Sequence, residues 1–179
     1  MPGDREIGGS VSGGVAGVGG ATVVGHQTPG ETFEHGAAAG GVQLWYARRA
    51  GNVDLGLAVG AAGALQVGGG FHGGVMVRPR RYESDTAIVA WELQLGWAYA
   101  TLGLPMSFRV GDRAWIYLSP SVGIRPGSAV HLPVGLSLDL GERARLTAEV
   151  NTYVGRSIFR QIGYDGTCVI GSAGVGRSF

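Results

Sequence analysis

The sequence predicts an all-β chain folded as a closed antiparallel up-and-down transmembrane β-barrel, and three observations predict it. From Tyr99 to Gly155, apolar residues fall at every second position along four successive stretches, which is the period of a strand and not of a helix. The opposite face carries mostly Gly, Ser, Thr and aromatic residues with single scattered charges, in a chain that is 15% charged and has no lysine. A sheet facing open water would show long charged side chains there, so this face suits a confined interior. Each apolar row is about ten residues long, which on a strand tilted by about 45° matches the hydrocarbon thickness of a bilayer. The leucines therefore belong outside, in lipid.

A chain of 179 residues holds one barrel of eight to ten such strands and needs no second domain. A net charge of +1, with arginines dispersed along the sequence and never more than two in a row, argues against a nucleic-acid partner. One cysteine, Cys168, excludes an internal disulfide and a CxxC metal or redox site. Gly or a polar residue interrupts every apolar stretch before it reaches the length of a membrane helix, so a membrane span has to be made of strands. The start, Met1 to Glu6, lacks the basic and apolar regions of a secretory signal and is expected to belong to a mature or truncated form.

In order along the chain, positions 1–9 are polar and expected to be disordered, leaving 10–179 as a single barrel domain with clear strands from about position 36. Ser10 to Gly25, dominated by Gly and Val, reads as a weak first strand or a linker. His26 to Gly36 contains Pro29-Gly30 and reads as a loop. Val42, Leu44 and Tyr46 then alternate with Gln43, Trp45 and Ala47, and Val53, Leu55, Leu57 and Val59 alternate with Asp54, Gly56, Ala58 and Gly60. Phe71, Gly73, Val75 and Val77 alternate with His72, Gly74, Met76 and Arg78, ahead of a polar break from Pro79 to Asp85. The stretches 86–99, 100–110, 114–124, 129–140 and 144–154 each continue the alternation, and Thr167 to Phe179 closes the chain after an expected loop from Gly155 to Gly166. Nine strands are clear; counting Ser10 to Gly25 makes ten, the even number a membrane barrel requires, with eight as the alternative. Pro105, Pro120 and Pro133 fall inside strands, where each removes a ladder donor, and are expected to mark bulges or a local opening.

Two hairpins repeat: Leu104-Pro105 precedes the Gly111-Asp112-Arg113 turn, and Leu132-Pro133 precedes Gly141-Glu142-Arg143. With the alternating strand after each turn and a last strand that ends on Phe179, after Val175, Ala173 and Val169, they resemble the bacterial outer-membrane β-barrel family that includes opacity-type and small porin-like proteins. Arg177 stands where that family usually has an apolar residue. The resemblance implies an outer-membrane location, contact with outer-membrane lipid, a monomer, and Phe179 as an assembly signal read by the barrel-insertion machinery.

A three-residue turn at 141–143 sets Asp139 opposite Arg145, Ser137 opposite Thr147, Gly135 opposite Glu149 and His131 opposite Tyr153, all facing the lumen. The expected lumen lining is Glu92, Arg109, His131, Asp139, Arg145, Glu149, Asn151 and Tyr153. As a selectivity filter they would act on permeating ions; as mutually paired charges they would fill a narrow interior, and the second reading is the expected one. Trp45, Trp115, Tyr117 and Tyr153 supply bulk, with inward glycines giving them room. His26, Glu31, Glu34 and His35 share a loop without a metal-site spacing, and no cofactor is expected. The nearest approach to a catalytic set is His131 with Ser121 and Tyr153, which lacks a carboxylate orienter, so a barrel-embedded hydrolase is the lesser alternative and no enzyme is expected. A further alternative is a soluble or lipid-anchored lipocalin-like barrel with the aliphatic face lining a cavity. The expected function is a structural, surface-interaction or narrow passive-channel role with a largely plugged lumen.

Overall fold

The computed structural model describes residues 5–25, 29–33, 37–64, 68–96, 100–125, 129–141, 143–159 and 162–179, with side chains given except within 16–37, 64–69, 124–129 and 155–168 and at 153. The strands are β1 (Arg5–Gly25), β2 (Pro29–Phe33), β3 (Ala37–Ala50), β4 (Val53–Ala64), β5 (Gly68–Glu83), β6 (Ala87–Ala90), β7 (Glu92–Gly96), β8 (Ala100–Gly103), β9 (Met106–Val110), β10 (Ala114–Leu118), β11 (Ser121–Arg125), β12 (Ala129–Asp139), β13 (Ala144–Phe159) and β14 (Ile162–Ser178). Because β2 leads into β3, and β6 into β7, β8 into β9 and β10 into β11, they form a ten-stranded antiparallel wall. Pairing of β1 with β14, from Glu6 opposite Ser178 to Gly25 opposite Ile162, closes the wall. Ten, and not eight, is the strand number. Closure leaves no free edge, so no long row of backbone donors is left unpaired in the sheet.

The paired wall is longer than its apolar rows. Arg5 to Gly9, expected to be disordered, form strand: Ile7 faces out, Glu6 and Gly8 face in, and β3 on one side and β14 on the other give this short polar stretch a partner at both edges. The loop expected at Gly155 to Gly166 is largely strand too, since Arg156 to Phe159 pair with Ile162 to Asp165. Likewise β5 runs through the supposed break at Pro79 as far as Glu83, and Pro29 to Phe33 pair with β1. In each case the neighbouring strand supplies the hydrogen bonds, which local composition does not reveal.

The prolines lie in one row across the wall. Trp91 N donates to Pro79 O at 3.0 Å, Ala90 N to Pro105 O at 3.0 Å, Leu104 N to Pro120 O at 2.9 Å and Ser119 N to Pro133 O at 3.0 Å. Each proline accepts a ladder bond and has no N–H to return one, so four consecutive ladders each lack one bond at the same level. Pairing nevertheless continues in one register across the interruption, from Ala114 opposite Val110 to Ser121 opposite Gly103, and from Ala87 opposite Phe108 to Glu92 opposite Gly103. These prolines are therefore neither bulges nor openings; a register shift falls instead between Arg80 and Tyr82.

Burial is inverted relative to a water-soluble protein. Among the described residues Ala90 and Pro105 are the buried apolar side chains, whereas Asp54, Arg80, Glu92, Thr101, Ser137 and Ser178 are buried polar ones. Leu44, Leu57, Val122, Leu136, Val150 and Val175 stand on the outer surface, each between 47% and 64% exposed. The aliphatic face thus points outward, which removes the requirement of the lipocalin-like alternative.

Candidate functional site: the lumen wall

Period-two alternation sends one side chain in two into the barrel, and the antiparallel register decides which of them meet. The turn at 141–143, with Gly141 at φ 100°, fixes β12 against β13 as expected: Asp139 opposite Arg145, Ser137 opposite Thr147, Gly135 opposite Glu149, His131 opposite Tyr153. Arg145 Nε donates to Asp139 Oδ1 at 2.9 Å, and its Nη1 lies 3.8 Å from Glu6 Oε2. Glu6 also accepts from Trp45 Nε1 at 3.4 Å. This group braces β1, β3, β12 and β13 just inside the rim that carries the chain termini.

A second group braces the other side. Arg80, whose side chain is 3% exposed, donates to both oxygens of Asp54, from Nε at 3.0 Å and Nη2 at 2.8 Å, and to Glu83 Oε1 at 2.5 Å. Arg49 Nη2 reaches Glu83 Oε2 at 2.7 Å. Further up the wall Glu92, 3% exposed, takes Arg78 Nε on one oxygen at 2.8 Å and Gln94 Nε2 on the other at 2.7 Å. These forked, charge-assisted bonds satisfy carboxylates that would otherwise be costly away from water.

Glycines face the bulky side chains. A Cβ at Gly8 would meet the Trp45 ring, with Val175 O at 2.6 Å, and one at Gly135 would meet Tyr117 and stand 2.7 Å from Ala148 O. Trp45 and Tyr117 therefore fold back over bare backbone. Asn151 donates to Glu149, on the same inner face.

Of the residues expected to line the lumen, the structure brings together Asp139 with Arg145 and Glu149 with Asn151, and buries Glu92. His131 faces inward, opposite Ser121 and Tyr153; the side chain of Tyr153 lies outside the described residues. Glu92 shares the transverse row of Ser121 and His131 through Gly103, but both its oxygens are taken by Arg78 and Gln94. Arg109 keeps the inward row, opposite Trp115, at the mouth of the barrel: it is exposed at the rim, 6.0 Å from the centre of the Trp115 ring, and donates to Gly111 O and Asp112 O. Position 109 lies one residue from the end of β9, where the turn carbonyls are within reach. The loop residues His26, Glu34 and His35 and the girdle candidates Trp97 and Tyr99 lie outside the described residues, as does the side chain of Glu31. Phe108 and Phe179 are exposed at 46% and 55% near the terminal rim.

Sequence reasoning missed Glu6, Arg80 and Glu83. Arg80 and Glu83 follow Pro79, read as a break, and Glu6 lay in the stretch read as disordered. The available signal was parity, since Arg80 continues the inward row of Met76 and Arg78 and faces the acid Asp54.

No protein-family model matches the chain, and no curated protein does. Among solved structures, the KdgM porin is similar over 97% of this chain and 99% of its own, at 12% identity with a TM-score of 0.52. Neisserial surface protein A is similar over 98% and 97%, at 10% identity and a TM-score of 0.47. The attachment invasion locus protein of Yersinia pestis is similar over 98% and 99%, at 12% identity and a TM-score of 0.36. The similarity to KdgM shows the fold, that of an outer-membrane-type β-barrel.

Proposed function

We propose that this chain is a small monomeric barrel of the bacterial outer membrane, serving a structural or surface-interaction role with a lumen closed by its own side chains. One observation carries this reading: the inversion of burial, with leucines and valines exposed around the wall and arginines and carboxylates paired inside it. In water that outer surface far exceeds the few hundred Å² of contiguous apolar area that soluble monomers expose; in a bilayer it is the surface a barrel requires. The paired state of Arg78, Arg80 and Arg145 favours a plug over a filter, because a charge held by a neighbouring carboxylate offers little to a passing ion. Phe179, exposed at the end of the closing strand, supports the C-terminal strand as the segment handed to the insertion machinery.

The test is electrical. Reconstituted in planar bilayers, the protein should show no large steady conductance, and Arg145→Ala should raise leakage by vacating space and freeing Asp139 and Glu6. A wild-type barrel with porin-sized steady current would overturn the plugged lumen. A chain that stays folded and soluble without detergent would overturn the membrane reading itself.

A further inference from the structure

Resting on the proposed reading of a lipid-embedded barrel, we infer that the outer face of β14, β1 and β3 at the terminal rim binds the phosphate of an anionic glycerophospholipid through Arg177, Arg5 and Arg48. The arginines are spread along the sequence with never more than two in a row, yet folding carries Arg5, Arg48, Arg81, Arg113, Arg143 and Arg177 to the rim of the chain termini, all exposed. Among the described residues none of these six makes an ion pair or a side-chain hydrogen bond, in contrast to Arg49, Arg78, Arg80 and Arg145 inside the wall.

Three of the six form a cluster. Arg5 and Arg48 are direct cross-strand partners, and they share the outer face with the next outward pair, Ile7 and Tyr46. Like charges directly opposite one another repel, and among the described residues no acidic side chain pairs with either. Arg177 is the partner of Ile7, which sets it diagonally beside Arg5 on the same face. The exposed acids Asp85 and Asp112 sit in the turns before β6 and β10, away from this cluster. Three guanidinium forks on adjacent strands suit a phosphate, which accepts paired N–H bonds from several directions.

The chemistry above the cluster selects a lipid as the source of that phosphate. Ile7 and Val175, 53% and 54% exposed, stand directly over the arginines, and Phe179 lies beside Arg5, its N donating to Arg5 O at 3.0 Å. Farther along β1 and β14 the outer surface dips into a shallow apolar groove of about 730 Å³, floored by Gly13, Gly171, Ala148 and Ala173 and walled by Val134 and Leu136. From Arg5 to Gly13 the wall rises by roughly 20 to 25 Å at about 3.4 Å per residue, the reach of a phospholipid from phosphate to chain end. A headgroup on the arginines can thus lay an acyl chain along Val175 and into the groove.

The experiment uses the folded barrel in vesicles of phosphatidylcholine and of phosphatidylcholine with one fifth phosphatidylglycerol, with spin-labelled lipids of each type reporting occupancy of the protein surface. A heat-dependent gel shift in pure phosphatidylcholine first establishes the membrane fold; without it the underlying reading fails, separately from this inference. Wild type should prefer phosphatidylglycerol over phosphatidylcholine by roughly fivefold to tenfold, and Arg5→Gln with Arg48→Gln should remove most of that preference. Arg81→Gln with Arg113→Gln, which removes equal charge elsewhere on the rim, should leave it nearly intact, and millimolar inorganic phosphate should not compete. Equal loss from both double variants, no preference in wild type, or full competition by inorganic phosphate would each overturn the site.

Discussion

Ser172 and Ala173 are neighbours of nearly equal size on β14 that differ in the side they face. Ser172 is partnered by Glu149 on the inner wall and Ala173 by Ala148 on the outer wall. Ala173 lies five residues before Ser178, the last residue of the strand. At about 3.4 Å per residue and a tilt of about 40°, it sits about 13 Å above the rim, near the middle of an apolar band about 25 Å tall. Ala173→Arg there places a guanidinium in hydrocarbon and should cost about 2 to 4 kcal/mol. Ser172→Arg projects toward the Glu149 carboxylate, where attraction of up to about 4 kcal/mol at an effective dielectric constant near 20 is largely offset by desolvation and lost rotamer freedom, for a net change within about 1 kcal/mol. Denaturant unfolding in phosphatidylcholine vesicles, followed by tryptophan fluorescence, should therefore separate the two variants by at least about 1 kcal/mol, a factor of roughly five in the folding equilibrium. If Ser172→Arg proves as damaging as Ala173→Arg, or more so, the inward and outward assignment of β14 is wrong.

The same unfolding measurement checks two packing predictions. Gly135→Ala should destabilise by about 1 to 3 kcal/mol, because its Cβ stands 2.7 Å from Ala148 O and against Tyr117, a case of overpacking; Gly171→Ala, whose nearest neighbour is Gly13 O at 3.7 Å, should cost nothing measurable. Arg80→Met should cost about 3 to 5 kcal/mol by leaving Asp54, 8% exposed, without its partner, and adding Asp54→Asn should recover part of that loss. Pro120→Ala supplies an N–H opposite Leu104 O: hydrogen exchange should find that amide protected, while stability changes by less than about 1 kcal/mol, since a bond worth about 1 kcal/mol is offset by the freedom returned to the unfolded chain.

The barrel was legible in the sequence wherever one face had to be aliphatic. The row Val130, Leu132, Val134, Leu136, Leu138 fixes both the strand and its outward side, and the turn at Gly141 then determines every lumen pair from Asp139–Arg145 up to His131–Tyr153. Beyond the apolar band this signal stops. At Arg5 to Gly9 and Arg156 to Phe159 the strands persist because a neighbouring strand meets their hydrogen bonds, a non-local fact that composition does not carry. The charge network was half legible for the same reason: Asp139 and Arg145 pair across one hairpin, whereas Arg145 meets Glu6 only when the first and last strands close the barrel. Arg109 lies at the rim because it comes one residue before the end of its strand, and parity alone says nothing about depth. The rim arginines were invisible as a cluster, since residues 5, 48 and 177 come together only through closure.

The central claim is that this wall meets lipid with its aliphatic face, and a nitroxide scan along β13 tests it most directly. In a Cys168→Ser background, single labels at 145 to 152 in phosphatidylcholine vesicles should show a two-residue period in collision with oxygen. Maxima are expected at Leu146, Ala148 and Val150, on the outer side, and minima at Arg145, Thr147, Glu149 and Asn151, on the inner side. Maxima at the odd positions, or no alternation at all, would contradict the account.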